Sequence, residues 1–399
     1  MVGTRRQCML ASDVQARMVA IRRDLHQHPE LSGQEVRTAR RICAALEELG
    51  IPYRQGIAGT GVVAELPGQV AGPWLALRAD MDALPIQEET GLEFASVHPG
   101  VMHACGHDGH TSMLLGAAEL LKREGTLPVP VRLIFQPAEE VGSGASAMVQ
   151  AGVLDGVAMI FGGHLDRHYP TGTIAISDGV VNASTDTFHI TITGQGGHAA
   201  RPHEGIDAVV VGSLMVMALQ TIVSREVNPA HPSVVTVGQF LAGTAANVIA
   251  GRAMLEGTIR AQHPHVRAHL QQSLRRIAQS VGQLHGATTT IEFRDGTPAV
   301  INTPACAALA REAAAQVLGR EQVVDLGTAN MGGEDFAYYM EHVPGCYVRI
   351  GSQLTGHENF PAHSSKFAFD EEALAVGAAY FACLARHVGK QLRAGEGSP

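Results

Sequence analysis

Short, solidly apolar runs give way near Ser184 to an alternating pattern, and this change of period constrains the chain more than any other feature. Upstream, "WLALRAD" (74–80), "VRLIFQP" (131–137) and "MIFGGHL" (159–165) are each bounded by turns. Helical stretches separate or precede them: "QEVRTARRICAALEEL" (34–49), "GHTSMLLGAAELLKR" (109–123) and "GASAMVQAG" (144–152). Runs without a polar face read as strands buried on both sides. Their alternation with helices predicts an α/β domain with a mostly parallel central sheet. In "TDTFHITITG" (185–194), by contrast, Phe188, Ile190 and Ile192 alternate with polar residues, which predicts a strand with one exposed face. An apolar helix (about 205–226), strands near 233–241 and 251–261, a helix at 265–286 and a strand at 288–295 follow. That order, β-α-β-β-α-β, is the ferredoxin-like α+β arrangement. The α/β pattern then resumes with a helix at about 304–318 and a strand at "CYVRIGS" (346–352). The expected organisation is a discontinuous larger domain, 1–183 and 298–399, interrupted by a smaller one at 184–297.

At 399 residues two domains are the natural expectation. A net charge of −9 without a basic block argues against a nucleic-acid partner. Apolar runs read as too short to span a bilayer, and the opening "MVGTRRQCMLASDVQARM" lacks the apolar core of an export signal, so a cytoplasmic location is expected. The six cysteines (Cys8, Cys43, Cys105, Cys306, Cys346 and Cys383) form no C-x-x-C pair, which argues against a disulfide framework. Five are expected to be buried thiols. Cys105 stands apart because it lies among histidines. The closing "AGEGSP" is expected to fray.

The unusual polar groups fall at strand ends. Asp80 and Asp82 close "WLALRADMD", Glu139 and Glu140 follow "VRLIFQP", and His164 closes "MIFGGH". In an open α/β sheet, ligands bind beyond the carboxyl ends of the strands, so three strands deliver acids or histidine to one rim. Between two of them lies "MHACGHDGHT" (102–111). Thiolate, imidazole and carboxylate together are the ligand set of zinc and its first-row neighbours. Cys105 and His107, two apart in a glycine-containing segment, can both point at one ion. Adjacent acids such as Glu139 and Glu140 are usually solvated. Beside a metal, one can bind while the other takes a proton from water. "GEDF" (333–336) and the lone His363 carry weaker signals, each more often structural than catalytic.

Taken together these segments closely resemble the M20 metallopeptidase family, in its amidohydrolase branch of hippurate hydrolases, N-acyl-amino-acid amidohydrolases and auxin-conjugate hydrolases. The resemblance runs through "RRDLHQHPELSGQE" (22–35), "RADMDALPIQEETG" (78–91), "MHACGHDGHT", "FQPAEEVGSGA" (135–145) and "GQGGHAARPHEGIDAV" (194–209). It continues through "GTAANVIAGRAMLEGTIR" (243–260), "MGGEDFAYY" (331–339) and "HSSKFAFDEEAL" (363–374). It implies a zinc-peptidase-like catalytic domain holding two divalent ions (Zn, Mn, Co or Ni) on Cys105, His107, Glu140, His164 and His363, with Cys105 bridging. It further implies Glu139 as the general base and Asp82 as a group that orients a ligand, while His103, Asp108 and His110 would be supporting groups.

For the inserted domain the resemblance implies a lid that also forms a dimer interface. His198 would polarise the scissile carbonyl of a neighbouring subunit, and Asn247 and Arg260 would bind the substrate carboxylate. Arg260 suits that task because a guanidinium meets a carboxylate bidentately. The implied reaction is hydrolysis of an N-acyl amino acid, through a metal-held water activated by Glu139, to a carboxylic acid and a free amino acid. A peptidase releasing a terminal residue from short peptides is the alternative. A binding protein that had lost catalysis would lack Glu139, and a redox thiol enzyme would need a second cysteine near Cys105. Two departures stand out. Asp80 occupies the place of a histidine ligand in other branches, so it is not assigned as a ligand. "LDRHYPTG" (165–172) lacks the tryptophan–proline pattern of hippurate-hydrolase-like members. That leaves Asp166, Arg167 and His168 open as specificity residues or a solvated turn.

Overall fold

The computed structural model describes residues 12–395. Cys8 and the last four residues of "AGEGSP" lie outside them. In chain order the main elements are α1 (Ser12–Gln27), α2 (Val36–Glu48), β1 (Tyr53–Ile57), β2 (Gly61–Leu66), β3 (Trp74–Asp80), α3 (His107–Glu124), β4 (Val131–Gln136), α4 (Gly144–Gln150), β5 (Val157–Pro170) and β6 (Ile174–Ala175). Then come β7 (Ser184–Thr193), α5 (Ala208–Thr221), β8 (Ser233–Ala242), β9 (Arg252–Ala261), α6 (Pro264–Leu284) and β10 (Thr288–Asp295). The chain closes with α7 (Pro304–Leu318), β11 (Val323–Val324), β12 (Gly345–Gln353) and α8 (Glu372–Gly395). They form two compact units. The larger comprises the chain to Gly179, Ile301–Gly327 and Asp335 onward; the smaller comprises Val180–Val300 and Thr328–Glu334.

The larger unit is built on an eight-stranded mixed sheet, in the order β1-β2-β4-β3-β5-β12-β6-β11. Its centre, β4-β3-β5-β12, is parallel. The flanking pairs β1/β2, β2/β4 and β12/β6 are antiparallel, so the sheet is mixed where a mostly parallel one was expected. The cause at one edge is local. Only three residues join β1 to β2, with Ala58 and Gly59 at φ +50° and +98°, and a link that short closes a hairpin but no parallel crossover. The central strands are apolar and buried along nearly their whole length, as solid runs predict. Helices α1, α3 and α8 pack against one another, and Met18, Leu114, Leu121, Leu374 and Leu384 join the sheet residues Leu77, Leu133 and Val348 in one core. Each such side chain contributes about 1.5–3 kcal/mol by leaving water. The first turn of α2 is capped from outside the helix: Glu30 accepts the N–H groups of Arg37 and Thr38 at 3.0 and 2.8 Å.

The smaller unit follows the order β7-α5-β8-β9-α6-β10, with a four-stranded antiparallel sheet arranged β8-β9-β7-β10. Phe188, Ile190 and Ile192 are buried at 0–1% exposure, packing with Val211, Met215 and Leu219 of α5 and Leu270 and Leu274 of α6. Asp207 sets the start of α5 by accepting the Val209 N–H at 2.9 Å. The α-helix ends at Thr221, and one π-turn (Ile222–Glu226) continues it. Together Ala208–Glu226 form 19 residues long and apolar enough to cross a membrane by length and composition, which corrects the reading that apolar runs are too short. One face of α5 nevertheless packs on its own sheet through Ala208, Val211, Met215 and Leu219.

Candidate metal centre

Strand β3 ends at Asp80, and the chain turns so that Asp82, 1% exposed, holds two parts of the site together. His107 opens α3, and its Nδ1 donates to the Asp82 carbonyl at 3.0 Å and to Asp82 Oδ1 at 3.2 Å. In the neutral ring Nδ1 carries the proton and Nε2 the lone pair, and this buried Nε2 has no hydrogen-bond partner. Asp82 Oδ2 accepts the Ser32 hydroxyl at 2.7 Å and the Glu140 N–H at 3.0 Å.

Glu139 and Glu140 sit on the turn between β4 and α4. Ala138 lies in the left-handed region at φ +54°, and the turn closes through bonds from Gly142 N–H to Glu139 O (2.7 Å) and from Gly144 N–H to Ala138 O (3.1 Å). Gly144 is required there, because a Cβ on it would stand 1.7 Å from the Pro137 carbonyl oxygen. Glu139 Oε2 and Glu140 Oε1 lie 4.0 and 3.8 Å from His107 Nε2. Glu140 Oε1 is buried without a hydrogen-bond partner, and Glu140 Oε2 lies 3.3 Å from His363 Nε2.

His164 lies within β5 rather than at its end, since pairing with β12 carries the strand on to Pro170. Its Nδ1–H donates to the Leu165 carbonyl at 2.7 Å, which turns an unprotonated Nε2 toward Cys105 Sγ at 3.3 Å. His363, at φ +68°, is fixed by its N–H bond to the Ala104 carbonyl at 2.7 Å. Three sets of donor atoms therefore converge within 4.8 Å of one another: Cys105, His107 and His164; Cys105, Glu140 and His363; and His107, Glu139 and Glu140. Cys105 is common to the first two.

Electrostatics bear on whether these groups suit a cation. Burial and the charge of Glu140 push the Cys105 thiol up to about 12. Burial, with His110 and Arg349 nearby, holds His164 well below the ordinary histidine value and so neutral. Burial opposes a charge on His107, but Asp80 and the bond to Asp82 outweigh it and hold its pKa well above the ordinary value. The hydrogen bond to Glu140 raises His363. A site that retains protons on a thiol and an imidazole, yet leaves His107 Nε2 and Glu140 Oε1 unpartnered, is a donor set that divalent cations would fit, since they displace such protons.

Asp80 and His110 do other work. Both nitrogens of His110 are engaged, Nδ1 with Asp80 Oδ1 at 2.6 Å and Nε2 with the Leu165 N–H at 3.0 Å. Asp80 also pairs with Arg78 at 2.6 Å, and its Oδ2 stays 3.8 Å from His107 Nε2. Asp108 accepts Arg22 Nε at 2.8 Å and faces His26 Nδ1 at 2.9 Å, so it braces α3 against α1. His103 is buried with both nitrogens unbonded, and burial lowers its pKa to about 4. Asp335 of "GEDF" is buried and accepts Arg78, Gln136 and the Ala145 N–H. Asp166 binds His168 at 2.7 Å, and Arg167 donates to the Asn359 carbonyl at 2.9 Å. Two residues without an assigned role in the sequence now touch the site: Ser32 through Asp82, and Glu35, whose Oε1 accepts the Ala138 N–H at 2.8 Å. Their signal was present in "HPELSGQE", an acid and a hydroxyl close ahead of a helix.

In the smaller unit, His198 and Asn247 are neighbours. The short ladder of Gly197–His198 with Val248–Ile249 pairs His198 with Val248, and Ala199 N–H donates to the Asn247 carbonyl at 3.1 Å. Both residues are exposed. His198 Nδ1 accepts the Ala200 N–H at 3.0 Å, so the neutral ring carries its proton on Nε2. Arg260, on β9, donates from Nη1 to the Met331 carbonyl at 3.1 Å.

Comparison with known proteins bears on the chain as a whole. Residues 76–387 match peptidase family M20/M25/M40. The chain is 44% identical over 375 residues to an N-acetylcysteine deacetylase of Bacillus subtilis, covering 92% of this chain and 96% of that one. It is 39% identical over 377 residues to thermostable carboxypeptidase 1 of Saccharolobus solfataricus, with coverage of 92% and 94%. A solved structure of the Bacillus subtilis YXEP protein, a dinuclear metal binding peptidase from the M20 family, superimposes with a TM-score of 0.85 at 40% identity, covering 95% of this chain and 99% of that one.

Proposed function

Since this chain belongs to peptidase family M20/M25/M40 and is a metal-dependent hydrolase of amide or peptide bonds, we propose that it cleaves N-acyl amino acids to a carboxylic acid and a free amino acid. The observation that carries the reading is the adjacent pair Glu139–Glu140, whose carboxylates both approach the unpartnered Nε2 of His107. One acid can then ligate while its neighbour handles protons. Cys105, His107, Glu140, His164 and His363 would hold two divalent ions, and Cys105 belongs to two of the converging donor sets. When bound, such ions position the attacking water, acidify it and polarise the amide carbonyl.

The protein's own groups carry the remaining work. Glu139 takes a proton from the attacking water and hands it to the amide nitrogen as the C–N bond breaks, so the amine leaves neutral. Asp82 fixes the tautomer of His107 and the backbone of Glu140 at once. His198 presents Nε2–H as a donor for the oxygen that gains charge in the transition state. Asn247 and Arg260 take the substrate carboxylate. We assign the smaller unit as a lid and the interface of a homodimer. Support comes from its exposed apolar residues Val210, Leu214 and Met217 on α5 and Phe240 and Leu241 on β8, which a second copy would cover.

The similarity to an N-acetylcysteine deacetylase favours small N-acyl amino acids, and the carboxypeptidase relative keeps short peptides as the second reading. The test is to strip metal with a chelator, refill separately with Zn, Mn, Co or Ni, and offer N-acetyl amino acids, N-benzoyl amino acids and dipeptides. Metal-dependent release of amino acid from the N-acyl set supports the proposal. Release from dipeptides alone transfers it to the peptidase reading.

A further inference from the structure

We propose that Glu35 is a positioning residue for Glu139, acting through the backbone of the turn that carries it. Glu35 is fully buried, yet it lies outside every candidate ligand group. Its Oε1 accepts the Ala138 N–H at 2.8 Å and the Gly33 N–H at 2.8 Å, and its Oε2 accepts the Thr60 hydroxyl at 2.6 Å. The contact falls at the one strained residue of the turn. Ala138 sits at φ +54°, a conformation that a non-glycine residue holds only when its surroundings impose it.

The bond to Glu35 holds the Pro137–Ala138 peptide unit and the bond between Glu140 N–H and Asp82 holds the Glu139–Glu140 unit, so the two bracket the stretch that carries Glu139. Asp82 reaches the turn from the end of β3, and Glu35 reaches it from the residue before α2. The backbone before and after Glu139 is thereby anchored by two buried carboxylates. A base that must serve first the water and then the leaving nitrogen depends on sub-ångström placement, and a displacement of about 1 Å costs on the order of 100-fold in rate. The inference rests on the assignment of Glu139 as the base.

Two substitutions separate reach from charge. Glu35→Asp keeps the charge and can still serve the adjacent Gly33, but it is one methylene too short for Ala138. Glu35→Gln keeps the length and an accepting oxygen while losing the charge, and the Thr60 hydroxyl can turn to accept from its amide. Measured on metal-loaded enzyme with an N-acyl amino acid, Glu35→Asp is expected to lower kcat by about 10- to 100-fold, with KM and bound metal unchanged. Glu35→Gln is expected to stay within about threefold of wild type, because a neutral acceptor replaces a charged one.

Unchanged kcat in folded Glu35→Asp overturns the proposal. So does an equal loss in both variants, or a loss that tracks missing metal or a rise in KM. If Glu35→Asp does not fold, amide hydrogen exchange at Ala138 in Glu35→Gln decides: protection as in wild type supports the bond, and fast exchange overturns it. Glu139→Gln run alongside separates the two readings. Full activity there removes the base assignment and this inference with it; an inactive Glu139→Gln beside a fully active Glu35→Asp removes only the positioning role.

Discussion

Asp82 accepts the backbone N–H of Glu140 at 3.0 Å, with the same carboxylate group that fixes the His107 imidazole. One buried acid therefore sets the orientation of two candidate ligands, one at the start of α3 and one beyond β4. If His107 and Glu140 ligate as proposed, the relationship makes Asp82 a determinant of metal affinity without being a donor itself. Asp82→Ala is expected to weaken metal binding by about 10- to 100-fold, as loss of a partner to a ligating histidine does elsewhere. Titration with a competing chelator checks it.

His110 provides the contrast. Because both of its ring nitrogens are bonded to protein, His110→Asn is expected to lower the melting temperature while leaving the number of bound metals unchanged. His107→Ala, which removes an open Nε2, is expected to lower that number. Elemental analysis of the two purified variants separates a brace from a ligand, and equal metal loss in both sinks the distinction.

If Glu139 moves the proton and Glu140 holds the ion, the two neighbouring substitutions fail differently. Glu139→Gln is expected to keep its metal and to lose at least about 100-fold in kcat. Glu140→Gln is expected to lose metal first. Turnover normalised to bound metal is the quantity to compare.

Gly144→Ala places a methyl group 1.7 Å from the Pro137 carbonyl oxygen, and neither backbone segment can yield without moving the Glu139 turn. A loss of about 1–3 kcal/mol in stability is expected, with activity falling further than stability alone explains. Denaturant melts and kcat measured on the folded fraction test both parts.

Acid sensitivity follows from Glu371. Burial raises its pKa, but Arg23 and Arg22 outweigh that and hold it below its ordinary 4.5. With the folded value depressed, its stabilising contribution is present above about pH 4.5 and is lost as pH falls through the folded value. Glu371→Gln should therefore melt lower than wild type at pH 7, and the gap should narrow as pH drops below 4.5. A gap independent of pH refutes the ionic account.

The sequence was informative where one residue's chemistry sufficed. Solid apolar runs located β3, β4 and β5, and the donors at their ends converge, with His164 inside the strand rather than closing it. Alternation in 185–194 identified β7 with its buried Phe188, Ile190 and Ile192. Less legible was anything that depends on a partner distant in sequence. The antiparallel flank of the sheet follows from a three-residue link that composition does not reveal. Glu35 follows Ser32 at the spacing of a helix-capping pair, so its local pattern hides a bond to Ala138 that only the folded chain makes. His110 reads in sequence as a supporting group, but that Asp80 and the Leu165 N–H occupy its two nitrogens is visible only in the fold.

The parallel centre of the sheet also governs when the site can come into being. Each of β3, β4, β5 and β12 reaches its neighbour by a crossover, so the candidate donors near their rim are contributed by segments from Cys105 to His363. No short fragment of the chain carries the whole set: Cys105 and His363 lie 258 residues apart. Loops this long must close before any coordination geometry exists, and such closures come late in folding. An ion would therefore meet a framework already folded, in contrast to small zinc modules whose ligands gather within a few turns of chain and whose folding the metal drives.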